Sequence, residues 1–149
     1  MSSTPHVTQT PVPAAVANSL AIWHDILSRN AMEELDPILA DEIVFRSPVA
    51  FTPYPGRAAI KLILKTVNTV FSDFEYHRTF FSEDGLSVTL EFSAKVGDKG
   101  LKGVDIVRFN AEGKMLEFEV MVRPMSDLNA LAQQMGAKLA PHAHLLGAK

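Results

Sequence analysis

Asp105 is the residue whose setting is hardest to explain without chemistry. Alternation along Leu101 to Asn110 places Leu101, Gly103, Asp105, Val107 and Phe109 on one face. Lys102, Val104, Ile106, Arg108 and Asn110 fall on the other. The carboxyl therefore sits on the more apolar face, and strand parity points both neighbouring cations away from it. An unpaired buried carboxylate is costly and tends to take up a proton. Proteins accept that cost mostly at functional sites, so a raised pKa and an acid or base role are expected for Asp105. The structural alternative is a carboxyl satisfied by a backbone N–H, a tyrosine or trapped water. Trp23 is a second candidate: it lies on an apolar helical stripe, and a buried indole N–H needs an acceptor. Asp105 is the expected one.

Other chemistry is thinner. There is no cysteine, so disulfides, thiolate nucleophiles and Cys-based zinc sites are excluded. His142 and His144 form an H-x-H in a Gly/Ala-rich tail with no third ligand nearby, and no metal or other cofactor is expected. His24, His77, Tyr54 and Tyr76 are available to a pocket, with their facing left open by periodicity.

The elements that must position these residues read as follows. Residues 1–12 form a Ser/Thr/Pro-rich flexible arm, with a helix start at Thr10-Pro11. Val16, Leu20, Trp23 and Leu27 make one helical stripe. Asn30 and Glu33 resemble a capping box opening a short second helix that Pro37 breaks. Glu42 to Ser47 alternates as a strand ended by Pro48, and a third helix runs from about Arg57 to Val70. Four strands follow, Phe74–Phe81, Leu86–Val96, Leu101–Asn110 and Lys114–Arg123, joined by short polar turns that each contain glycine. Ser126 is placed to cap a last helix carrying Leu128, Leu131 and Met135, and the tail from His142 is expected to be loose. Helices first and a meander after make an α+β domain over 13–125, followed by a C-terminal helix and tail over 126–149.

Composition narrows the class. At 149 residues and 47% hydrophobic the chain supports one ordinary core. A net charge of −3 without a Lys/Arg block argues against nucleic acid as a partner. No apolar stretch approaches the roughly 18 residues of a membrane span, so a soluble cytoplasmic protein without a membrane partner is expected.

Several segments resemble the nuclear transport factor 2-like superfamily, which includes ketosteroid isomerases and SnoaL-type polyketide cyclases. They are Met32-Glu33-Glu34-Leu35, Ile38 to Pro48, Pro55 to Ile60, and Val104-Asp105-Ile106-Val107-Arg108-Phe109 followed by Glu112-Gly113-Lys114. The resemblance spans roughly residues 13–125. It implies a cone-shaped α+β barrel: a strongly bent, mostly antiparallel sheet wrapped around three N-terminal helices, enclosing an apolar pocket. It also implies a homodimer through the outer sheet face. Ketosteroid isomerases use a first-helix tyrosine, an aspartate base ending the first strand, and a protonated aspartate on a later strand. Those positions here match Trp23, Ser47 and Asp105. Serine cannot abstract a carbon-bound proton unaided. The charged residues of the related epoxide hydrolases fall on Phe92, Ala94 and near Val120.

The expected site therefore has Asp105, Ser47 and Trp23 as its chemical members. Leu27, Phe45, Val88, Leu90, Phe92, Val107, Phe118 and His24 are its expected pocket. Two readings follow: an isomerase, dehydratase or cyclase acting on a small apolar cyclic or carbonyl compound, or a non-catalytic binder of a hydrophobic metabolite. A second ionisable side chain aimed at Asp105 favours the first. On the outer face Val104, Ile106, Met115 and Met121 are expected to form the dimer contact, rimmed by Arg108, Glu117, Glu119 and Arg123.

Overall fold

A computed structural model describes residues 12–146. The Thr10-Pro11 helix start, and all of the arm but Val12, lie outside the described residues. Helix α1 spans Ala14–Arg29 behind Pro13 and buries Val16, Ser19, Leu20, Trp23 and Ile26. Asn30 does not open a second helix. It closes α1 in the left-handed region at φ 49°, its N–H bonding back to Leu27 O, a conformation that asparagine tolerates better than most side chains. The expected capping box with Glu33 is thereby pre-empted, and Met32–Glu34 and Asp36–Ile38 are single 3₁₀ turns. The helical layer on this side is thus two helices and a pair of turns.

Strand β1 is Leu39–Arg46, longer at its start than alternation alone suggested, and β2 is the two-residue Tyr54–Pro55. Helix α2 covers Arg57–Val70. Strands β3 (Ser72–Phe81), β4 (Ser87–Val96), β5 (Lys99–Phe109) and β6 (Met115–Arg123) form the meander. The six strands make one curved, unclosed sheet in the order β2-β1-β6-β5-β4-β3. β1 and β6 are parallel; every other neighbouring pair is antiparallel. Helix α3, Met125–Leu139, then packs back towards the open side. Ser126 is not its cap: Pro124 precedes the first turn and no side chain caps it. The tail expected to be loose from His142 continues as far as Leu146 in a 3₁₀ segment, Ala140–Leu146, kinked at His142; the rest of it lies outside the described residues.

Register explains the faces. Val88, Leu90, Phe92 and Ala94 of β4 face inward, opposite Val107, Asp105, Gly103 and Leu101 of β5. Gly103 is required there, because a Cβ would come within 2.5 Å of both the Phe92 ring and the Met121 carbonyl. In β6 the alternation slips. Arg108 pairs with Glu117 but Phe109 pairs with Met115, so Leu116 is an extra, bulged residue. Met115 is consequently buried with Phe118 rather than exposed on the outer face. The outer face keeps Val104 opposite Met121 and Ile106 opposite Glu119. Beside them Glu91 is clamped by Arg78 and Lys102, whose hydrogen bonds and charge lower its pKa to about 2.

Candidate functional site

Burying Asp105 requires something to hold its carboxyl, and the partner comes from two strands away. The Tyr76 hydroxyl donates to Asp105 Oδ2 at 2.6 Å. The Trp23 indole N–H donates in turn to the Tyr76 oxygen at 3.1 Å. Trp23 therefore reaches Asp105 only through Tyr76, which corrects the expected direct contact. The chain of donors runs from α1 through β3 to β5.

Tyr76 owes its place to an irregularity. The β3–β4 register pairs Phe81 with Val88, Phe80 with Thr89 and Thr79 with Leu90. Continued unbroken, it would set Tyr76 opposite Ser93 on the outer face. A register shift between Tyr76 and Thr79 sets it opposite Phe92 instead, on the inner face. Phe74 at 4.9 Å and Phe92 at 6.5 Å hold its ring edge-on. On the other side His24 meets the same ring edge-on at 5.3 Å, its pKa lowered by burial.

Electrostatics follow from burial. Asp105 is 6% exposed. Desolvation pushes its pKa up to about 7, and the Tyr76 hydrogen bond opposes that rise. Tyr76 is pushed well above the ordinary tyrosine range by burial and by the neighbouring carboxylate, so it stays a donor. Asp105 thus has a second ionisable side chain aimed at it, but one that holds its proton.

These groups border a cavity of about 320 Å³. The sheet contributes Phe45, Tyr76, Phe92, Asp105 and Phe118; α1 contributes Trp23 and Leu27; Ser47 follows β1. Helix α2 adds Ile63, Leu64, Val67 and Asn68, and the wall is completed by α3 and the 3₁₀ segment. Trp23 packs edge-on against Phe118 at 5.4 Å, and Phe45 stacks on Phe118 at 5.9 Å. Ser47 Oγ accepts the Val49 N–H at 3.1 Å and retains its own O–H.

Of the residues expected at the pocket, Asp105, Ser47, Trp23, Leu27, Phe45, Phe92 and Phe118 come together around the cavity. Val88, Leu90 and Val107 do not line it; they are buried in the main core with Val16, Leu20 and Phe109. His24 stands outside it, on the exposed side of α1. His77 faces outward and bonds Ser93 Oγ at 2.8 Å. Tyr54 and Tyr76, whose facing periodicity left open, both border the cavity, whereas Asn68 and the C-terminal wall were not foreseen. Among the described residues no group of three His, Asp or Glu side chains is arranged to hold a metal ion, and no helix is long and apolar enough to cross a membrane.

Comparison with known proteins places this geometry. A family model described as a SnoaL-like domain matches residues 21–118. The crystal structure of a steroid delta-isomerase from Pseudomonas aeruginosa has a TM-score of 0.86 and 49% identity, covering 90% of this chain and 98% of that one. A cystatin-like protein from Silicibacter pomeroyi DSS-3 has a TM-score of 0.81 and 28% identity, covering 91% and 94%. The epoxide hydrolase/cyclase-like enzyme SalBIII of salinomycin pyran-ring formation shares the fold, with a TM-score of 0.60 and 20% identity over 74% and 92%. No curated protein sequence matches the chain.

Proposed function

The chain belongs to the SnoaL-like domain family, and on that premise we propose that it is a small-molecule isomerase or cyclase that moves a proton on an apolar carbonyl compound. The observation that carries this reading is the Asp105 carboxyl, buried at the cavity wall and anchored through one oxygen by Tyr76. With a pKa of about 7 it is present in both protonation states near neutrality, the condition an efficient proton-transfer group needs. Tyr76 fixes Oδ2, leaving Oδ1 as the working atom. As carboxylate, Oδ1 takes a proton from the carbon beside the substrate carbonyl. The electron pair moves into the enolate, and the same oxygen returns the proton to the far end of the conjugated system. One group serves as base and then acid, so no second base is consumed. Ser47 does not act as that base; its free O–H is a donor for the carbonyl oxygen.

The steroid delta-isomerase neighbour makes a double-bond shift in a β,γ-unsaturated 3-oxo steroid the first activity to assay. Formation of the conjugated enone is followed by ultraviolet absorbance. Wild type is expected to accelerate it and Asp105→Asn to lose the acceleration. Ser47 at the position where ketosteroid isomerases carry their base supports a second reading, a non-catalytic binder of an apolar metabolite. That reading prevails if the steroid changes the fluorescence of Trp23, the single tryptophan, yet is not converted.

Assembly belongs to the same reading: a two-fold homodimer through the outer sheet face. Support comes from Val104, Ile106 and the half-exposed Met121, bordered by Arg108, Glu117, Glu119 and Arg123.

A further inference from the structure

The wall that α2 gives the cavity is apolar except at one position. Leu64, Val67 and Asn68, with Phe71 just past the helix end, recur at i, i+3, i+4 and i+7, and all four border the cavity. A leucine in place of Asn68 would continue that stripe and gain by burial, yet an amide stands there. Small-molecule sites owe their specificity to a few placed polar groups in otherwise apolar walls. Trp23, Tyr76 and Asp105 are committed to one another, and Asn68 takes no part in their bonds.

Chemistry fixes which way the amide is turned. Asn68 Nδ2 donates to Leu27 O of α1 at 3.4 Å. A carbonyl only accepts, so the nitrogen must face it and Oδ1 must face away. No described residue donates to Oδ1, and the atom is accessible rather than sealed in the core. The tie to α1 does not explain the residue. Its length exceeds that of an ordinary N–H···O bond, and Leu27 O already accepts the Asn30 N–H at 3.2 Å.

Resting on the reading that the cavity binds an apolar carbonyl compound, we infer that Asn68 is a specificity-determining residue whose Oδ1 accepts a hydrogen bond from the ligand. The ligand class is a ketone that carries, apart from its carbonyl, a hydroxyl or N–H group. Ser47 and Asp105 serve the carbonyl end, and α2 reads the second group. A ketone lacking that donor leaves Oδ1 without its bond and is held less tightly. Asn68 thus separates ligands of nearly the same shape, which an apolar wall alone does poorly.

The test compares 4-phenylcyclohexanone with its meta- and para-hydroxyphenyl analogues by isothermal titration calorimetry at about pH 6, where a phenol keeps its proton. Wild type is expected to bind at least one hydroxylated ketone about threefold to tenfold more tightly than the parent, the range of one net neutral hydrogen bond. In Asn68→Leu and Asn68→Ala, each checked for fold by circular dichroism, that preference should fall below about twofold. Ser47→Ala and Tyr54→Phe remove two other hydroxyls that border the cavity, and both should keep the preference. A merely structural Asn68 would weaken all three ketones alike and leave the preference standing. Binding of the parent with no preference for either analogue overturns the inference while leaving the cavity a ligand site. So does a preference kept by either folded Asn68 variant, or one lost in Ser47→Ala or Tyr54→Phe. No binding of any of the three ketones to wild type overturns the underlying reading, and the inference with it.

Discussion

Replacing Asp105 by asparagine should stabilise the protein at alkaline pH while removing its proton-transfer group. The native carboxyl titrates at about 7 against an ordinary value of 3.8. In the unfolded chain it ionises at the lower value, so between those pH values the native state binds more protons than the unfolded one. Stability therefore falls as pH rises through this window and levels off above it. A rise from 3.8 to about 7 corresponds to about 4 kcal/mol in total. Asparagine matches the protonated acid in size, and its amide oxygen can accept the Tyr76 hydroxyl. It carries no charge to desolvate. The stability difference between variant and wild type should thus grow in favour of the variant by roughly 3 kcal/mol between pH 5 and pH 8.5. Urea unfolding read by Trp23 fluorescence at the two pH values measures it, and the difference cancels every other titration. A difference that stays constant with pH, or grows in favour of wild type, would refute the argument that burial outweighs the Tyr76 hydrogen bond. Stability gained by removing a desolvated functional group is the expected trade against activity.

Tyr76→Phe removes the donor that favours the carboxylate. The Asp105 pKa should rise further, moving the acidic limb of any pH–activity profile upward; carboxyl NMR titration of wild type and variant reads this directly. Gly103→Ala should destabilise by about 1–3 kcal/mol, because its Cβ meets the Met121 backbone carbonyl as well as the Phe92 ring; urea unfolding checks it. Light scattering of wild type should give twice the 16.3 kDa chain mass, and Met121→Lys should shift it to the monomer. A wild-type monomer at micromolar concentration would remove the outer face as an interface.

What the residues disclose depends on how far a pattern reaches. Strict alternation along Ser87–Val96 gave β4 its faces, and the same parity placed Asp105 inward, because both strands pair without interruption. The facing of Tyr76 was left open and that of Met115 was misread for one common reason: each lies beside a register irregularity, and a single extra residue inverts every face after it. Asn30 misled because asparagine suits both the start of one helix and the left-handed end of another. The Trp23–Tyr76 bond joins residues far apart in the chain, and no local pattern encodes which acceptor an indole will find. The C-terminal wall escaped notice because Gly136, Pro141 and the histidines signal an ending.

The parallel pairing of β1 with β6 sets an order for folding. The four strands of the meander are neighbours in sequence and in space, and their hairpins close over short loops. β1 reaches its place only when Phe45 meets Phe118 across most of the meander, a long loop whose closure entropy must be met before its contacts give anything back. The meander alone brings Tyr76 and Asp105 side by side but leaves them in water, with neither the indole of α1 above nor Phe45 beside them. Desolvation of Asp105, and with it the raised pKa, is therefore expected to arrive late, when the N-terminal half docks. Until then the chain has the residues of the site without its chemistry, and proton uptake at Asp105 would mark the final step of folding.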